Sequence, residues 1–212
     1  MKALIIGATG ATGSDLVKQL LNDSKFLQVV VFVRKALSFK HDKLVEHIVD
    51  FEHPHTWSHL VHGDVAFSAM GTTLKAAGSK EAQWKVDYDY QYNFAKVASE
   101  NEVPVFVLVS AAYVSPDSKL FYPKMKGKLE EAIKKLHFTA LQIFNPPVLA
   151  RANSDRSGEV IAVKVMNFFN AIGLFKKHRP MKTNELAAAM IHAVKKATPG
   201  IHQWQGQDIL KA

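Results

Sequence analysis

A doubly wound, three-layer α/β fold with a parallel sheet is what this sequence predicts, and three observations predict it. The short apolar run Ala3–Ile6 ends in the glycine-spaced segment Gly7–Gly13 and passes into a helical pattern over Asp15–Leu21. Gln28–Val33 is a continuous β-branched and aromatic run, as expected of a strand buried on both faces of a parallel sheet. Further strand-length runs follow at Leu44–Val49, Val65–Ala69, Pro104–Val109 and Thr139–Phe144, with helical patterns over Glu81–Glu100 and after Tyr122. The expected strand order is 3-2-1-4-5-6, with room for a seventh strand at Gly200–Trp204.

The first strand, tight turn and helix read as the front of a dinucleotide-binding βαβ unit. Unpaired backbone N–H groups and the positive end of a helix dipole attract a pyrophosphate, and a Cβ in the turn would hold it away. Gly7 permits the turn, Gly10 admits the phosphates and Gly13 brings the helix close to the strand. Ala8, Thr9, Ala11 and Thr12 complete the expected nucleotide turn. The plain alternative is a glycine-rich turn without a ligand.

Length and composition bound the rest. The 212 residues suit one domain, 1–212, in which 151–212 is expected to be a small substrate-side extension. The absence of cysteine excludes disulfide, thiolate-metal and thiol-nucleophile chemistry. No run approaches the ~20 apolar residues of a membrane span, and Ala3–Ile6 is too short for a signal peptide. A soluble cytoplasmic protein without membrane contact is therefore expected. The formal charge of +8 is spread over many segments, which argues against nucleic acid as a partner; the densest basic run is 176–179.

Arg34 and Lys35 end the second strand. A basic residue there receives the 2′-phosphate of NADP, whereas an acidic one would bond the ribose hydroxyls of NAD. The expected cofactor is therefore NADP(H), unless both are solvated loop charges. Asp50 and Phe51 end the third strand, where a carboxylate and a ring would meet an adenine; Asp50 also suits a helix cap. His55, His59 and His62 would share one face of a helix, but no nearby carboxylate completes a metal site, so none is expected.

Ala69, Met70, Gly71 and Thr72, with Thr73, form the loop after the fourth strand, suited to contacting a ribose or nicotinamide or to simple turn chemistry. Trp84, Tyr88, Tyr92 and Phe94 on Glu81–Glu100 fit helix packing better than a stacking platform. Ser110 ends the fifth strand. Tyr122 and Lys126 lie four apart on the next helix and so on one face. A phenol with pKa ~10 is a poor acid at neutral pH, and a nearby ammonium favours its ionisation. Tyr122 is thus the expected proton donor, Lys126 its electrostatic partner and contact to the nicotinamide ribose, and Ser110 a hydrogen-bond donor to the substrate oxygen.

Taken together, Gly7–Gly13, Val33–Lys35, Val49–Phe51, Met70–Thr73, Ser110 and Tyr122 with Lys126–Gly127 resemble the atypical short-chain dehydrogenase/reductase superfamily. Within it the chain is similar to the Tat-interacting protein-like oxidoreductases and their bacterial homologues, up to about Arg151 and more faintly through Ser157–Glu159. The resemblance implies NADPH bound on a Rossmann fold, with the family's Ser, Tyr and Lys at Ser110, Tyr122 and Lys126. Two departures stand out. Asn145–Pro147 replaces the family's Arg-Pro-Gly, which alters the loop beside the nicotinamide to which Pro146 and Val148 belong. The tetrad asparagine of many relatives has no clear counterpart.

Toward the C-terminus, helices are expected at 158–171 and 184–197. Met166, Phe168, Phe169 and Phe175 either line a small pocket or join the core. The expected function is NADPH-dependent hydride transfer to a small carbonyl substrate. A non-catalytic NADP(H)-binding regulator is the alternative, epimerase-type chemistry suits the same scaffold, and a homo-oligomer is compatible with it.

Overall fold

The structure, a computed structural model, describes residues 1–150, 180–196 and 198–212. The expected helix at 158–171, the four candidate lining residues and the basic run 176–179 lie outside them.

β1 (Lys2–Ile6) leads into α1 (Ala11–Asn22), followed by β2 (Gln28–Val33), β3 (Leu44–Ile48) and β4 (Val65–Ser68). Two short helices come next, α2 (Leu74–Ala77) and α3 (Lys80–Trp84), then a π-helical turn at Lys85–Asp89 and α4 (Tyr90–Glu100). The chain continues through β5 (Val105–Val109), α5 (Phe121–Lys134), β6 (Ala140–Asn145) and β7 (Leu149–Ala150). It ends with β8 (Met181–Lys182), α6 (Thr183–Lys196), β9 (Gly200–Gln205) and a 3-10 stretch at Gly206–Lys211.

Seven strands form one sheet in the order β3-β2-β1-β4-β5-β6-β9, with every neighbouring pair parallel. The expected order holds, and the seventh strand joins beyond β6. β7 and β8 pair separately. Because parallel strands need crossovers that cover both faces, the central strands are buried on both sides, which is why they read as unbroken apolar runs. On one face, Leu16, Val17 and Leu20 of α1 pack with Leu186, Met190 and Val194 of α6. On the other, Phe94 and Ala98 of α4 pack with Leu129 and Ile133 of α5. Residues 180–212 therefore contribute a helix and a sheet edge to the same domain.

Two expected elements differ. The histidine segment is not one helix but two 3-10 turns, Pro54–Thr56 and Ser58–Leu60, so His55, His59 and His62 do not share an α-helical face. Trp57 between the turns is buried, and its indole N–H donates to the Asp50 carbonyl at 2.8 Å, which pins the segment to the core. The helix expected over Glu81–Glu100 is widened at Lys85–Asp89. Gln91 sits one turn later with its amide donating to the Asp87 carbonyl at 2.9 Å and accepting from the Ser68 hydroxyl at 2.8 Å. Buried polar groups in that turn thereby find partners.

The β1–α1 turn is tightly packed. Gly7 has φ +81°, and a Cβ there would lie 2.5 Å from the Ala69 backbone; a Cβ on Gly13 would overlap the Gly7 carbonyl. Substituting Gly13→Ala should cost about 1–3 kcal/mol by forced backbone displacement. That corresponds to a fall in Tm of about 2–4 °C per kcal/mol on thermal unfolding followed by circular dichroism. An unchanged Tm would show that the turn has slack.

Candidate functional site

The β1–α1 turn opens onto the C-terminal edge of the sheet, where the strand order reverses on either side of β1. That crevice is where doubly wound sheets bind ligands. Gly10 caps α1 without a side-chain hydrogen bond, and the first turn holds no acidic residue, so no carboxylate of the helix's own first turn opposes its N–H groups. A cleft of about 450 Å³ runs from Gly10, Ala11 and Thr12 past Ala69–Thr73 to Ser110, Tyr122 and Lys126. The three expected catalytic residues and most of the expected inner nucleotide contacts are thus brought to one cavity.

The outer nucleotide residues fare differently. Arg34 and Lys35 are exposed at the end of β2, and among the described residues no carboxylate pairs with either. Arg34 lies within electrostatic reach of Tyr90, whose phenol burial and a 2.5 Å bond to Glu52 push up to about 12. Asp50 accepts from the Glu52 N–H at 2.9 Å and bonds the His53 ring at 2.8 Å, so it ties the local turn together. Phe51 is a correction: its ring is buried, stacked on Tyr90 and edge-on to Trp57, which leaves its backbone and not its ring to meet a base. Thr73 caps α2 through the Ala76 N–H, the turn-chemistry alternative. Pro146 is buried with its carbonyl accepting from Ala112, and Val148 pairs by its carbonyl with Met181; neither lines the cleft, whereas Leu149 and Thr183 do. Among the described residues, no three His, Asp or Glu side chains gather as a metal site.

At the reacting end, Tyr122, Lys126 and Glu130 follow one another at single-turn intervals along α5. Pro123 is accommodated in the first turn of that helix, where its missing N–H has no helical partner to lose. Lys126 is buried and its Nζ donates to the Val109 carbonyl at 3.3 Å. Burial lowers its ammonium from the ordinary range, against the pull of the Asp87 and Glu130 carboxylates. The Tyr122 side chain is 38% exposed, yet its phenol is not lowered as expected: desolvation, and then the Asp87 carboxylate, push it up. The lysine is spent on its own carboxylate neighbours and the Val109 carbonyl.

Ser110 brings a second correction. Its hydroxyl donates to Glu130 Oε1 and so is not directed to a substrate oxygen. Glu130 also accepts from the Asn145 amide at 2.7 Å and the Gln203 amide at 3.1 Å. Asn145 thus does structural work in the core beneath the cleft.

Asp87 was missed altogether. The π-helical turn presents it, 1% exposed, to the cleft, where Oδ2 accepts from the Thr72 N–H at 3.0 Å. Turns of this kind are frequent at functional sites. The signal for Glu130 was its spacing of four from Lys126; Asp87 had none, because an extra residue in a helical turn leaves no periodic mark.

Burial raises the Asp87 carboxyl above its ordinary 3.8, opposed by Lys126 and the Thr72 bond. The folded state therefore holds that proton more tightly than the unfolded chain. Stability must fall as pH rises from about 3.8 through the raised value. Asp87→Asn removes this loss, so the Tm of the variant relative to the wild type should climb between pH 4 and pH 7 in calorimetric scans. A difference independent of pH would contradict the raised carboxyl.

Residues 7–143 match the family model described as NAD(P)H-binding. The chain is 35% identical over 164 residues to the mitochondrial protein FMP52 of Saccharomyces cerevisiae, covering 74% of this chain and 71% of that one. It is 32% identical over 173 residues to the protein HTATIP2 of Rattus norvegicus, covering 79% and 70%. In fold it is similar to the Bordetella bronchiseptica enzyme WbmH in complex with NAD+, with TM-score 0.72 and 17% identity over 96% of this chain and 74% of that one. The expectation of a cytoplasmic protein is corrected here: the FMP52 relatives from four fungi are named mitochondrial proteins. The chain belongs to the NAD(P)H-binding family and carries a Rossmann fold.

Proposed function

We propose that the protein is an NADP(H)-dependent reductase of small carbonyl compounds. The observation that carries this reading is the single cleft shared by the open α1 N-terminus and by Tyr122, Lys126 and Ser110. The residues fit a dinucleotide: Gly10 is exposed in the turn, where a Cβ would press on the Gly7 carbonyl at 3.2 Å, and the first turn of α1 carries no acidic residue beside its N–H groups. Arg34 and Lys35 supply positive charge, unpaired with any carboxylate among the described residues, where a 2′-phosphate would lie. NADPH, when bound, supplies the hydride.

The chain's own contributions are positional and electrostatic. Tyr122 gives its proton to the carbonyl oxygen. Lys126 stabilises the phenolate left behind, which requires its ammonium to leave the Val109 carbonyl and turn into the cleft. The side chain is buried, so each such charge contact counts for more than it would in water.

A second reading is favoured by a specific observation. The raised Tyr122 phenol and the Ser110 hydroxyl committed to Glu130 both weaken proton donation while leaving the nucleotide turn whole. These features suit a protein that binds NADP(H) as a signal without turning it over.

One experiment separates these readings, and a second tests the cofactor preference they share. Tyr122→Phe should lower kcat on a carbonyl panel by about 10²-fold or more while NADPH affinity persists; residual turnover near wild type would remove Tyr122 as the acid, and binding without any wild-type turnover would establish the regulatory reading. Arg34→Asp should weaken NADP+ binding by about tenfold or more in calorimetric titration, with little loss for NAD+. Equal losses would remove the 2′-phosphate assignment.

A further inference from the structure

Beneath the cleft, three polar groups from three parts of the fold converge on Glu130 of α5, itself 4% exposed. The Ser110 hydroxyl, just after β5, and the Asn145 amide of β6 both donate to Oε1, and the Gln203 amide of β9 donates to Oε2. The proton directions in this set are over-determined. The Asn145 amide has two N–H bonds, and they go to the Ala111 carbonyl at 2.8 Å and to Glu130 at 2.7 Å. The Gln203 amide uses its own two on Glu130 at 3.1 Å and on Asn145 Oδ1 at 2.9 Å. Turning either amide over would set oxygen against oxygen. Ser110, Asn145 and Gln203 therefore each direct one proton to the carboxylate, and a carboxylate only accepts.

Ser110 has one hydroxyl proton, and Glu130 takes it. What the serine presents to the cleft is a pair of lone pairs. A carbonyl oxygen, which also only accepts, gains nothing from them. A hydroxyl gains a hydrogen bond. Because Lys126 Nζ is bonded to the carbonyl of Val109, the residue before Ser110, the lysine head and the serine are neighbours at the reacting end of the cleft.

We propose that Glu130 is a positioning residue that holds Ser110 as a hydrogen-bond acceptor, and that the cleft consequently selects carbonyl compounds bearing a hydroxyl on the adjacent carbon. This rests on the reductase reading above. In the reaction the carbonyl carbon gains the hydride of NADPH, the π pair moves onto oxygen, and that oxygen takes the Tyr122 proton. A 1,2-diol and NADP+ result, and the phenolate recovers a proton from solvent. The neighbouring hydroxyl, bonded to Ser110, fixes which face of the carbonyl is presented.

The test uses the full chain saturated with NADP+, which with a ketone forms a complex that cannot react. Hydroxyacetone and butanone, which differ by a hydroxyl in place of a methyl group, are titrated separately by ligand-observed NMR. Wild type should bind hydroxyacetone about tenfold more tightly than butanone, the worth of one well-made hydrogen bond in a buried site. Ser110→Ala should bring the ratio of the two dissociation constants to about one or below, and so should Glu130→Gln where it folds. A merely structural role would weaken both ligands together and leave the ratio in place. Equal affinities in wild type, a preference that survives Ser110→Ala, or no binding of either ketone to protein that does bind NADP+ would each overturn the inference. Turnover with NADPH is followed separately. A preserved hydroxyl preference without turnover would overturn the reductase reading and leave the acceptor role of Ser110 standing.

Discussion

The close approach of the β1–α1 turn to the end of β4 is the constraint on which the rest of the cleft depends. Gly7 carries φ +81° with the Ala69 and Met70 backbone pressed against it, and Gly13 is packed on the Gly7 carbonyl. That contact brings the N-terminus of α1 down onto the sheet edge at the point where the strand order reverses. It also places the Ala69–Thr73 loop beside the helix, so that one crevice is walled by the turn on one side and by β5 and α5 on the other. A side chain at either glycine would separate these walls, and the polar groups beyond them would no longer share a cavity.

Within that frame the local chemistry is set by buried charge. Lys126 lies among Asp87, Glu130 and the Val109 carbonyl, with little water to screen any of them. Two carboxylates accompany one ammonium. Glu130 takes three hydrogen bonds, from Ser110, Asn145 and Gln203, whereas Asp87 has, among the described residues, the Thr72 N–H and the lysine's field. This asymmetry explains why burial raises the Asp87 carboxyl and why Asp87 in turn raises the phenol of Tyr122.

Much of the fold was legible because it is written in local patterns. Strands buried on both faces must be apolar throughout, so Gln28–Val33 and Val105–Val109 announce themselves, and the parallel order follows from the connections between them. The catalytic candidates were legible for the same reason: Ser110 ends a strand, and Tyr122 and Lys126 are one helical turn apart. What was not legible depends on contacts distant in sequence. Gln203 reaches Glu130 across 73 residues, and nothing local at Ser110 shows that its proton is already taken. The histidine segment misled because its spacing is helical, yet burial of Trp57 holds the chain in two tighter turns.

The proton of Tyr122 brings these threads together. Desolvation and Asp87 both hold it on the phenol, and the serine beside it offers no donor to share the charge that would develop on a substrate oxygen. Lys126 is the cation placed to release it. Its bond to the Val109 carbonyl, at 3.3 Å, is longer than a well-formed N–H···O bond and so holds the ammonium loosely. Rotation about the lysine's own side-chain bonds redirects the charge without moving the backbone of α5. On the proposed reductase reading, acid strength at Tyr122 is therefore governed by where one buried side chain points.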